Sequence, residues 1–114
     1  MKYMILIHQG SALETQAALS QDEQKQVYAD YMAINKTPGF TPGARMDDPA
    51  TATTVRVQDG RTLTTDGPFA ETKEALGGYG FFEADDLDAA IELASRIPAA
   101  RYGGGVEIRP LMGA

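Results

Sequence analysis

From Lys2 to Gln9 apolar residues fill both alternations of an extended chain, with Tyr3, Ile5 and Ile7 on one side and Met4 and Leu6 on the other. A strand apolar on two faces belongs in the middle of a sheet, covered twice. The period then changes. Ser20-Gln21-Asp22-Glu23 is a capping box, and Val27, Tyr31 and Ile34, with Tyr28 and Met32 beside them, keep helical spacing to about Lys36. Pro38-Gly39 stops that helix. Phe40 to Met46 reads as a second strand, confined to a sheet edge because Pro42 has no N–H to donate. After a turn at Asp47-Asp48-Pro49, Thr53 to Gln58 and Arg61 to Thr65 flank Asp59-Gly60, a two-residue hairpin signal. Tyr79 to Ala84 is aromatic and strand-like. Asp86 caps a second helix that places Leu87, Ala90, Ile91, Ala94 and Ile97 on one face and stops at Pro98. Gly103 to Gly105 leads into a last strand, Val106 to Pro110.

With the hairpin set aside, the order is β-α-β-β-α-β, the ferredoxin-like α+β arrangement. Its second and fourth strands are edges, and these are the strands that contain Pro42 and Pro110. The strand faces exceed what two helices of about seventeen and twelve residues can cover, which points to a dimer.

The connection between Arg61–Thr65 and Tyr79–Ala84 runs to about twelve residues, against about 4–6 for an ordinary connection in a compact domain. It reads Thr65-Asp66-Gly67-Pro68-Phe69-Ala70-Glu71-Thr72-Lys73-Glu74 and closes with Gly77-Gly78-Tyr79. Gly67-Pro68 restricts its backbone, and Phe69 and Leu76 are its expected anchors to the core. This run closely resembles the signature of the DGPF proteins, a branch of the YCII-related family. The likeness extends from Met1-Lys2-Tyr3-Met4 to Glu107-Ile108-Arg109-Pro110-Leu111 and is weakest at Thr37 to Gly43. It implies one YCII-related/DGPF domain over residues 1–114, paired sheet to sheet as a dimeric α+β barrel.

Composition narrows the function classes. Among 114 residues there is no cysteine, hence no disulfide, thiolate nucleophile or Cys-based metal site, which suits the cytoplasm. The net charge of −6, with acids gathered at Glu83, Asp85, Asp86, Asp88 and Glu92 and no basic stripe, argues against nucleic acid. No segment approaches the ~20 apolar residues of a membrane span. The P-loop, the dinucleotide glycine motif, the His–Glu zinc helix and the G-x-S-x-G elbow are all missing, so no cofactor is expected.

Six residues are candidates for chemistry. His8, the only histidine, ends the first strand on the face of Met4 and Leu6, either as a general acid/base or as a strand-end residue bonded to a loop. Asp66 is placed to pin its turn or to orient an imidazole. In more distant YCII-related proteins a His–Asp pair has been suggested as a catalytic dyad, and the resemblance makes His8 and Asp66 the candidate pair here. Glu71, Lys73 and Glu74 cluster on the signature loop. As surface pairs they would contribute only ~0–1 kcal/mol, so a ligand contact or an inter-subunit salt bridge suits them better. Arg109 carries a planar fork for a carboxylate or phosphate, unless it pairs with Glu107 or Glu83.

Three functional readings stay open. One is a cofactor-independent enzyme on a small anionic molecule, with His8 as acid/base, Asp66 as its orienter and Arg109 or Lys73 as the anion clamp. The second is a non-catalytic ligand-binding or regulatory dimer. The resemblance favours it, since DGPF proteins are often encoded near extracytoplasmic-function sigma factors. The third is a structural interaction module whose signature loop swaps across the dimer. A small-molecule site in a homodimer is the expectation carried forward.

Overall fold

The computed structural model describes residues 1–68 and 75–113. Its elements, in chain order, are β1 (Lys2–His8), α1 (Ala12–Ala17), α2 (Gln21–Asn35), β2 (Phe40–Arg45), β3 (Thr53–Gln58), β4 (Arg61–Asp66), β5 (Leu76–Glu83), α3 (Leu87–Ser95) and β6 (Gly105–Pro110). Four strands form an antiparallel sheet in the order β2-β5-β1-β6, while β3 and β4 pair only with each other. The fold is α+β, and the strand order agrees with a ferredoxin-like arrangement. β1 is central, and the two proline-bearing strands are the edges, as the missing N–H groups require.

Local signals account for most boundaries. Ser20 Oγ accepts the Glu23 N–H at 3.2 Å while the Ser20 N–H reaches Glu23 Oε1 at 3.3 Å, completing the capping box of α2. Asp86 Oδ1 accepts the Ala89 N–H at 2.9 Å to start α3. At the hairpin tip Asp59 (φ 52°) and Gly60 (φ 73°) both adopt the left-handed conformation that a two-residue turn needs.

The core lies on one side of the main sheet. Register puts Tyr3 opposite Phe82 and Pro110, and Ile5 opposite Gly80 and Ile108. These side chains meet Ile34 of α2, Ala90 and Leu93 of α3, and Ile97 and Ala99 just beyond it. Tyr3, Ile5, Leu93 and Ile97 are fully buried, each worth ~1.5–3 kcal/mol of transfer free energy.

Three expectations are corrected. The buried stripe of α3 is Ala90, Leu93 and Ala94, continued by Ile97 just beyond the helix, whereas Leu87 and Ile91 are each 49% exposed. The helix is nine residues long and ends at Ser95, and Leu87 and Ile91, four residues apart, share a face turned away from the buried one. A short helix, α1, occupies residues 12–17 where none was expected; only Ala12 is buried in it and no side chain caps it. Finally, β5 begins at Leu76, so Gly77 and Gly78 are strand residues rather than a turn. A Cβ on Gly77 would strike the Gln9 side chain, which lies against it.

The pairing of β1 with β5 shifts between Ile7 and His8, where His8 faces Leu76. This bulge, the Gln9 N–H bond to Ala75 O at 2.9 Å, and the close approach of Gly104 to the His8 and Gln9 carbonyls shape the end of β1.

Candidate functional site

Alternation along β1 sends Met4, Leu6 and His8 to the sheet face away from the helices. Register adds Tyr79 and Phe81 from β5, and Glu107 and Arg109 from β6, to the same face. None of Met4, Leu6, Tyr79 and Phe81 belongs to the core cluster or packs against it. Met4, Leu6, Tyr79 and Phe81 are half-buried by one another, with the Tyr79 and Phe81 rings edge to face at 6.3 Å.

Along the β6 side of this apolar surface stand three linked polar groups. His8 Nε2 and Glu107 Oε1 are 3.0 Å apart, and Arg109 donates to the other oxygen of Glu107. The His8 bond first, and Arg109 second, hold the Glu107 carboxyl below the usual glutamate range. A carboxylate bonded to one imidazole nitrogen orients the ring, as the partner of a general acid/base does. Arg109 is thus paired with Glu107 along its own strand, while Glu83 receives the chain's N-terminal amine instead.

Asp66 ends β4 in the separate hairpin, exposed and with its backbone opposite Thr53. The following turn is held by backbone, with the Gly67 N–H on Ala52 O at 2.7 Å and the Thr54 hydroxyl on Gly67 O at 2.9 Å. The acid cluster Glu71, Lys73 and Glu74, and the expected anchor Phe69, lie outside the described residues. Among the described residues no group of three metal-ligating side chains comes together.

The other side of the sheet holds a cavity of about 460 Å³ between α1, α2 and the ends of β1, β2 and β5. Leu13, Tyr28, Met32 and Phe40 contribute apolar walls, and Gln9, Gln16, Tyr31 and Arg45 contribute polar groups. Burial raises the Tyr31 hydroxyl above the usual tyrosine range, offset in part by hydrogen bonds from the Ala99 N–H and the Gln9 side chain. Pattern reading missed this group. Its one available signal was Gln9 continuing the helix-side alternation of Tyr3, Ile5 and Ile7.

The fold and these two surfaces define a small α+β domain with one helix-covered sheet face and one bare face carrying a histidine–carboxylate pair. The YCII-related domain matches residues 1–113, and an uncharacterized protein of Rhizobium meliloti (strain 1021) is 33% identical over 116 residues, spanning 97% of this chain and 92% of its own. The chain belongs to the YCII-related family. No described helix is long and apolar enough to cross a membrane.

Proposed function

We propose that the protein acts as a cytoplasmic homodimer, joined sheet to sheet as an α+β barrel, that holds a small anionic molecule beside His8. The observation that carries this reading is the bare apolar sheet face. The chain exposes 7756 Å², whereas a compact monomer of its mass exposes about 6,100 Å². The excess of about 1,700 Å², to which the projecting β3–β4 hairpin also contributes, is larger than the roughly 800 Å² that one partner of a standard-size interface buries. A second copy over Met4, Leu6, Tyr79 and Phe81 would bury that surface and enclose the polar side of the face.

In such a dimer His8 is the general acid/base and Glu107 its orienting carboxylate. Arg109, drawn toward Glu107, also presents positive charge to an anionic ligand. Asp66 and the loop residues Glu71, Lys73 and Glu74 complete the site from the signature segment, with Asp66 approaching His8 directly or through one water. What supports their part is the sequence argument: so particular a run of ionisable groups gains too little from solvated pairing.

Light scattering tests the assembly. At low micromolar concentration the wild type should give a dimer mass and Leu6→Glu a folded monomer mass. A wild-type monomer mass that does not change with concentration rejects the reading.

A further inference from the structure

Across the sheet from His8, the helix-side cavity contains polar atoms that the fold leaves unanswered. Gln9 Oε1 and Gln16 Nε2 are both buried and have no hydrogen-bond partner among the described residues. Buried amide groups are nearly always paired, so two on one cavity wall call for a partner the chain does not itself supply. Gly77 maintains this placement, because any side chain there would push Gln9 aside.

At the mouth stands Arg45, the only charged side chain among the described residues that line the cavity. It is exposed on edge strand β2, and none of the ion pairs among the described residues involves it. Leu13 and Met32 make the walls apolar. The volume falls within the range of sites for small organic ligands.

We infer that this cavity is a second binding site, for a small carboxylic acid that carries a secondary amide and an apolar body. The carboxylate sits on the Arg45 fork, where two parallel N–H bonds can be made. The amide offers one donor and one acceptor, as Gln9 Oε1 and Gln16 Nε2 require. The apolar part fills the space between Leu13 and Met32. The site lies on the opposite side of the sheet from the dimer face and does not depend on it.

The test is an NMR titration of the full chain with N-acetyl-L-phenylalanine, compared with its uncharged carboxamide and with 3-phenylpropanoate, which lacks the amide. Saturable shifts are expected at the side-chain N–H signals of Gln9, Gln16 and Arg45. Arg45→Gln should weaken binding of the acid about tenfold or more and leave the carboxamide unchanged. Gln16→Leu should abolish the preference for the acetylated acid over 3-phenylpropanoate. The inference is overturned if millimolar acid gives no saturable shift, if shifts cluster around His8 instead, or if Arg45→Gln binds the acid as the wild type does. Repeating the titration on Leu6→Glu separates the two sites, since a monomer should retain this one.

Discussion

Glu107 holds two partners at once, and its titration reads out the cluster around it. A carboxylate whose pKa is depressed in the folded state stabilises the fold above its unfolded value, and this support is lost as pH falls through the lower folded value. Carbon-detected titration should place the Glu107 midpoint below that of an ordinary glutamate, with His8→Leu moving it upward and Arg109→Gln doing so to a smaller extent. An unmoved midpoint in His8→Leu would mean that the 3.0 Å contact does not control the charge of Glu107. His8 and Arg109 were legible in the sequence, because strand alternation alone puts His8 on the face of Met4 and Leu6 and Arg109 on the same side of its strand as Glu107. Glu107 was legible as a partner of Arg109, but its bond to His8 was not: that depends on the lateral register of β6 against β1, which sets Glu107 opposite Leu6, diagonal to His8. Gln9 and Gln16 were silent for a related reason, since a glutamine reads as surface until the fold closes around it.

Among the elements, those with local chemistry at their ends were the readable ones. The caps of α2 and α3 and the Asp59-Gly60 turn all act within four residues, so no tertiary information was needed to see them. α1 has one buried residue and no side-chain cap, and packing rather than local preference holds it. β5 extends through Gly77 and Gly78, and the Gln9 side chain occupies the space a side chain on Gly77 would take, an arrangement that pattern cannot reveal. Removing the carboxylate by Asp86→Ala should cost about 1 kcal/mol through loss of the α3 cap. A urea titration would show it as a lower midpoint with an unchanged slope. An unchanged midpoint would mean that water replaces Asp86 at the Ala89 N–H without loss.

The molecule measures 50 × 40 × 18 Å with a radius of gyration of 16.1 Å, against about 13 Å for a compact chain of this length. The short dimension is that of one sheet and one helical layer. The long ones reflect the hairpin, which stands apart with Val55 58% and Val57 68% exposed. Strand order was legible from topology and the two prolines, but this open shape was not, since the strand pattern of the hairpin specifies its pairing and not its distance from the core. The hairpin should therefore melt on its own. Gly60→Val, at a φ of 73° that a β-branched residue resists, should speed amide exchange throughout β3 and β4. The main thermal transition should stay where it is. A large fall in that transition would show that the hairpin is energetically part of the core.

Just past the register shift between Ile7 and His8, strand alternation turns two consecutive residues to opposite sides of one layer: His8 to the bare face, Gln9 to the cavity. No third layer separates them, so the two sides share a single piece of backbone. Thermodynamic reciprocity then applies without any long pathway. To the extent that an occupant on the Gln9 side favours one setting of the bulge, it changes affinity on the His8 side by a factor that the second partner must return in full.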